Sequence, residues 1–209
     1  MIIPKKIKQI IIRLAKEYPD AATRLHYANT FQLLIAVILS AQTTDEQVNK
    51  VTPRLFQKCP NPYQMANIGI EELEELIKGV GLYRSKAKFL KEAARMIQER
   101  FNGEVPSGFD DLLQLPGVGR KTANVVRSVG FNQPGLGVDT HVHRVANRIG
   151  LVKTNSPRKT EDSLKGLIPQ EKWNNFHHWL IHHGRRVCRA RKPDCTNCIL
   201  RDCCEKNQV

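Results

Sequence analysis

The run from Leu112 to His141 limits this chain more than any other stretch. It begins Leu-Leu-Gln-Leu-Pro-Gly-Val-Gly-Arg-Lys-Thr-Ala-Asn-Val-Val, ending at Val126, and closes with Val-Asp-Thr-His at 138–141. Pro116 follows an apolar run and stops a helix there. Gly117 and Gly119 give the backbone freedom for a tight turn and a close approach to something flat or charged. From Arg120 the pattern turns helical again, with Ala123, Val126 and Val129 on one face. The expected product is a helix, a Gly-x-Gly turn and a second helix whose first amides point outward. Such a turn holds a phosphate through backbone N–H groups and the helix dipole, without reading any base.

Lys121 falls in the first turn of that second helix. The positive end of the dipole and the neighbouring Arg120 both disfavour a protonated amine there. A lysine relieved of its proton is a nucleophile able to form a Schiff base. The bland alternative is a phosphate-binding lysine in a non-catalytic hairpin, and the motif alone leaves the two even. Asp139 reads as the N-cap of a further helix, because Val142, Val145, Ala146 and Ile149 follow at helical spacing. A helix start favours an ionised carboxylate, the opposite of its effect on a lysine. Asp139 is then a cap alone, or a cap and a catalytic carboxylate together.

A chain of 209 residues suits one large domain or two small ones, and 41% hydrophobic content supports a packed core. The 33 basic residues against 20 acidic ones give a net charge of +13, which suits a polyanion such as nucleic acid. No secretory signal is visible near Met1–Ile12, and the longest apolar run, Leu33 to Leu39, is far short of the roughly 20 residues of a membrane span. The expected compartment is the cytoplasm, where six cysteines are thiols or metal ligands rather than disulfides.

Every element legible in the pattern is helical. Helices are expected at Lys5–Glu17, with Ile7, Ile10, Ile11 and Leu14 inward, and at Phe31–Leu39, which is apolar all round and hence buried. A polar loop at Ser40–Asp45 follows, with Asp45 as a cap for the next helix. Asn61-Pro62 reads as a break, Glu71–Ile77 as a short helix, and Ser85–Phe101 as a long basic one. The triplet Gly79-Val80-Gly81 repeats the one at 117–119, which is either a structural echo or chance. Ser107 with Asp110 resembles a capping box for the first hairpin helix. Ser156–Leu167 and Lys172–His183 complete the set, and Phe131–Gly135 is the Gly/Pro-rich connection expected to separate two domains. The His177-His178 and His182-His183 pairs are expected to pack in their helix, and His143 to be a bystander.

Cys188, Cys195, Cys198 and Cys204 leave gaps of six, two and five residues among Arg189, Arg191, Lys192, Asp194 and Asn197. Thiols so dense in a polar segment point to metal. Zinc sites favour two Cys-x-x-Cys knuckles or a Cys/His mix, and only one knuckle is present. Four cysteines also suit an iron–sulfur cluster, whose spacings vary, so spacing puts that reading modestly ahead. Cys203, beside Cys204, competes as fourth ligand. Cys59 reads as an ordinary apolar residue.

LPGVGRKTA followed by VDTH and this cysteine array resembles the helix-hairpin-helix DNA glycosylases, and within them the endonuclease III family, over nearly the whole chain. The resemblance implies an all-α fold of two helical subdomains with a cleft between them. Residues 22–133 would form a helical barrel module with the hairpin at about 109–129, and 1–21 plus 134–209 a cluster domain. It implies a bifunctional enzyme that removes oxidised pyrimidines and cleaves the abasic site by β-elimination, with Lys121 as nucleophile and Asp139 beside it. It implies a 4Fe-4S cluster on Cys188, Cys195, Cys198 and Cys204, leaving Cys203 spare. Gln42 and Leu82 would fill the gap left by a flipped base, with Gly117, Gly119, Arg120 and Arg144 at the DNA. His141 would pack or hydrogen-bond, while Arg189, Arg191 and Lys192 would present charge to phosphates. The implied partner is double-stranded DNA with damaged pyrimidines or abasic sites, met by a monomer at the nucleoid. The rivals are a non-catalytic DNA-binding module and a monofunctional glycosylase of the same fold. The monofunctional adenine glycosylases share the cysteine pattern but lack lysine at the position of Lys121.

Overall fold

The computed structural model describes residues 4–206. They form helices throughout, and among the described residues the β-structure is confined to an isolated bridge between Lys78 and Val80. No described helix is long and apolar enough to cross a membrane. The chain divides into two compact units. One is Arg24–Gln133; the other joins the residues up to Thr23 with those from Pro134 onward.

The first unit is built round α2 (Thr30–Leu39), of which Phe31 and the seven residues from Leu33 to Leu39 are buried. Removing each large apolar side chain from water contributes about 1.5–3 kcal/mol. The Asn29 side chain caps α2 by accepting from the Gln32 amide at 2.9 Å. Around it lie α3 (Asp45–Lys58), α4 (Pro62–Asn67), α5 (Ile70–Leu76), α6 (Tyr83–Arg100), α7 (Phe109–Gln114) and α8 (Arg120–Val125). Residues Val126–Gly130 continue α8 as a π-helical turn.

Three local expectations change or gain detail. The hydroxyl of Thr44, not Asp45, caps α3, accepting from the Gln47 amide at 3.2 Å. Asp45 instead occupies the first turn, where its charge meets the dipole. The break expected at Asn61-Pro62 falls at residues 59–61, and a further helix begins directly after it. Asn61 caps α4, and Pro62 fills the first helical position, where its missing N–H has no intrahelical partner to lose. The N-cap of α7 is Gly108, with no side-chain cap, so Ser107 and Asp110 form no capping box. Past α8, Ala123 and Val126 are fully buried, and Val129, on the π-helical turn, is partly buried against the same core.

In the second unit, α1 (Lys5–Glu17) buries Ile7, Ile10, Ile11 and Leu14 in a core shared with α9 (Thr140–Arg148), α10 (Pro157–Leu167) and α11 (Trp173–Arg186). Val142, Val145 and Ala146 of α9 meet Phe176, Trp179 and Leu180 of α11 there. Tyr18 and His183 are buried polar members of this unit, joined at 3.0 Å from phenol to Nδ1. Burial pushes the phenol up to about 12 and the imidazole down to about 4, so the bond joins two neutral groups.

Candidate active site and cysteine centre

The hairpin takes its shape from two glycines with different duties. Gly117 has φ +80°, and a β-carbon there would lie 3.1 Å from Phe89 Cβ and 3.3 Å from Ile38 Cγ2. Gly119 has an ordinary φ of −95°, and a β-carbon there would meet nothing within 4 Å. The first glycine turns the chain; the second leaves an open approach to the backbone. Val118 between them is buried, its amide donating to the Leu115 carbonyl at 3.0 Å. The earlier triplet forms the same turn. Gly79 has φ +105°, Val80 is buried, and its amide donates to the Ile77 carbonyl at 3.1 Å.

Beyond the turn, the Ala123 amide donates to the Gly119 carbonyl at 2.9 Å and starts α8. Arg120 lies half-buried with its guanidinium 5.0 Å from the centre of the Phe109 ring, a cation–π contact that fixes it beside the hairpin. Lys121, next in line, is half-buried on the first turn of α8. No hydrogen bond or ion pair engages its ammonium among the described residues.

Asp139 belongs to the other unit. It is the N-cap of α9, its carboxylate accepting from the Val142 amide at 2.8 Å. That bond fixes the orientation of the carboxylate and places its charge at a helix start, where charge is favoured.

Gln42 and Leu82 are both exposed, and both adopt the left-handed region, with φ of 56° and 58°. For residues other than glycine this costs about 1–3 kcal/mol. Nothing in the sequence announced it, since neither is a residue that favours that conformation. The two loops touch: a β-carbon on Gly81 would stand 3.1 Å from the Gln42 carbonyl oxygen.

Cys188, Cys195, Cys198 and Cys204 gather in the second unit. Burial first, then neighbouring cysteines, pushes the Cys198 and Cys204 thiols up. Thiols crowded like this ionise together only against cationic metal. The sulfurs also receive donors: the Leu200 amide reaches Cys198 at 3.4 Å, the Lys206 amide reaches Cys204 at 3.3 Å, and Arg148 lies 3.9 Å from Cys188. No three His, Cys, Asp or Glu side chains among the described residues converge on a single-ion site. Four cysteine sulfurs held in one short segment are a donor set of the chemical kind that thiolate-ligated metal centres use.

Residues 35–170 match the family described as HhH-GPD superfamily base excision DNA repair protein. Endonuclease III of Synechocystis sp. is 49% identical over 206 residues, covering 98% of this chain and 94% of the relative. Endonuclease III of Escherichia coli strain K12 is 45% identical over 197 residues, covering 94% and 93%. The chain belongs to the endonuclease III family. A solved structure of a trapped endonuclease III–DNA covalent intermediate superposes with a TM-score of 0.94 at 45% identity, covering 99% of this chain and 97% of that one. As a member of the endonuclease III family, the chain is an all-helical base-excision DNA repair enzyme.

Several expected DNA contacts of this endonuclease III family member are placed in detail. Arg189, Arg191 and Lys192 stand exposed on the segment between Cys188 and Cys195. Arg144 is directed at the protein instead. Its guanidinium donates to the Cys188 carbonyl from Nη2 at 3.0 Å and Nε at 3.3 Å, and to the Gly184 carbonyl at 3.0 Å. His141 lies 3.2 Å from the same Nη2. Arg148, one turn on, donates to the carbonyls of Arg189 at 2.7 Å and Ala190 at 3.0 Å. Sequence reasoning missed it, because an arginine in a basic chain reads as surface charge. Cys203 directs its thiol to the Leu200 carbonyl at 3.3 Å.

Proposed function

We propose that the chain removes oxidised pyrimidines from duplex DNA and cleaves the resulting abasic strand, with Lys121 as nucleophile. The reading is carried by Lys121 itself, a half-buried residue at the hairpin whose amine no carboxylate or carbonyl among the described residues engages. The damaged nucleotide is flipped out of the stack, at a cost of a few kcal/mol that damage lowers. Gln42 and Leu82 enter the space it leaves. The Lys121 amine attacks the sugar C1′ and gives up a proton as the bond forms. The C1′–N bond breaks, and the base departs with the bonding electrons and takes up a proton. Ring opening gives a protonated Schiff base between C1′ and Nζ. Loss of a C2′ proton then expels the 3′ phosphate, and water releases the lysine. Asp139 stabilises positive charge as it develops on the sugar and assists proton movement.

Gly117 and Gly119 bring backbone amides to a phosphate, and Arg120 adds charge beside them. Arg189, Arg191 and Lys192 contact phosphates from the cysteine segment. Cys188, Cys195, Cys198 and Cys204 are the ligands of a 4Fe-4S cluster. When bound, it supplies iron–thiolate bonds that fix the shape of this segment. Arg144 and Arg148 hold the first part of the segment by its carbonyls.

Borohydride reduction tests the reading. With duplex DNA carrying an oxidised pyrimidine it yields a covalent adduct, and Lys121→Ala abolishes adduct and strand cleavage together. Undiminished trapping by Lys121→Ala would refute the assignment, and DNA binding without cleavage by the native chain would make it a binding module.

A further inference from the structure

Lys86 read as one more cation on a basic helix, yet its side chain is inside the protein and only 4% of the residue is exposed. Its ammonium donates to the carbonyls of Leu39 at 2.8 Å and Ala41 at 2.6 Å, and to the Thr43 hydroxyl at 3.1 Å. These three oxygens end α2 and form the loop that carries Gln42. The backbone of Lys86 serves the other loop, its amide donating to the Leu82 carbonyl at 3.0 Å and so starting α6. The ammonium thus grips Gln42 by the carbonyl before it and the hydroxyl after it, while Leu82 is held by the ordinary first helical bond of α6 to the same residue's backbone amide.

The Thr43 hydroxyl completes the clamp. It also accepts from the Gly81 amide at 3.2 Å, which joins the two loops directly. Gly81 has no β-carbon to push the Gln42 carbonyl away. Burial disfavours the charged amine and moves its pKa down. Three oxygens, two of them backbone carbonyls, hold the proton in place against that cost. A buried cation shared among loop carbonyls is an expensive way to fill space, since a methionine would occupy it without desolvating a charge. What only the ammonium provides is a three-way tether on a strained turn.

We propose that Lys86 is a positioning residue for lesion capture, holding Gln42 and Leu82 together in the left-handed form so that both enter the duplex as one rigid wedge. The inference rests on the wedge role given to those two residues above. Released from the clamp, the turns relax toward ordinary backbone angles and the two side chains part.

The test compares Lys86→Met and Thr43→Val with Gln42→Ala and Leu82→Ala in the cluster-loaded full-length chain. Each is measured on duplex DNA with an oxidised pyrimidine and on a single-stranded abasic site, where no base need be displaced. A 2-aminopurine placed opposite the lesion reports unstacking. Lys86→Met is expected to lower excision from duplex by about 10- to 100-fold, to lose the 2-aminopurine rise, and to leave single-strand cleavage unchanged. Thr43→Val, which keeps the shape and removes the shared hydroxyl, moves the same way to a smaller extent. It decides the matter if Lys86→Met does not fold. Loss of duplex and single-strand activity in equal proportion would show a merely structural lysine and overturn the proposal. If Gln42→Ala and Leu82→Ala impair duplex excision while both clamp variants do not, the clamp is wrong and the wedge stands. If Gln42→Ala and Leu82→Ala change nothing, the wedge reading itself fails.

Discussion

Gly117→Ala separates the two duties of the hairpin glycines. Placing a β-carbon at φ +80° costs roughly 1–2 kcal/mol. The new methyl would press on Phe89 and Ile38 at 3.1 and 3.3 Å, closer than ordinary carbon contacts. Overpacking of this kind costs about 1–3 kcal/mol. Alanine recovers about 0.4–1 kcal/mol by restricting the unfolded chain. The net is a loss of about 2–4 kcal/mol, and with a urea slope near 2 kcal/mol per M the unfolding midpoint falls by about 1–2 M. Gly119→Ala is the control. Its β-carbon meets open space at an ordinary φ, so only the weaker capping tendency of alanine is felt, below about 1 kcal/mol. If Gly119 faces a phosphate, that small change still weakens DNA binding, because the methyl occupies the approach. The measurements are urea unfolding by circular dichroism and titration of labelled duplex at fixed salt. A Gly117→Ala midpoint equal to that of the native chain would refute the steric argument. Full-strength DNA binding by Gly119→Ala would refute the open-approach argument.

Asp139→Asn and Asp139→Ala divide cap from catalysis. Asparagine caps as well as aspartate, so Asp139→Asn keeps its stability and loses base excision, whereas Asp139→Ala also loses about 1 kcal/mol in thermal or urea unfolding. Replacing Arg189, Arg191 and Lys192 together by Ala reduces the slope of log binding constant against log salt by up to about 2.7, the value for three phosphate contacts. An unchanged slope places those residues away from DNA. The proposed 4Fe-4S cluster predicts a brown visible absorbance that Cys204→Ser loses and Cys203→Ser retains, which a spectrum and an iron assay decide.

The parts of the fold that were legible in the sequence are those fixed by neighbours in the chain. Asp139 was readable as a cap because Val142, Val145, Ala146 and Ile149 recur at helical spacing, and the Val142 amide does bond to it. The hairpin was readable because proline and glycine act on their own backbone angles. Asn61-Pro62 carries two local signals, a break and the start of α4, and only the break was legible, since Pro at the first helical position starts a helix as readily as Pro elsewhere stops one. What stayed hidden depends on distant partners. Lys86 takes its burial from oxygens more than 40 positions earlier, and Arg144 finds its acceptors 40 and 44 positions later. No periodicity carries such pairings. The π turn after Val125 was equally silent, as its residues match an ordinary α pattern. Gln42 and Leu82 owe their left-handed backbone to contacts between loops rather than to their own preferences.

The most direct measurement is to digest the borohydride-reduced adduct of the native chain with lesion-containing duplex and to locate the modified residue by mass spectrometry. The account predicts a reduced sugar linked to Nζ of Lys121, in the peptide bearing the Gly117–Gly119 turn. A sugar carried by any other amine, the N-terminus included, would contradict it.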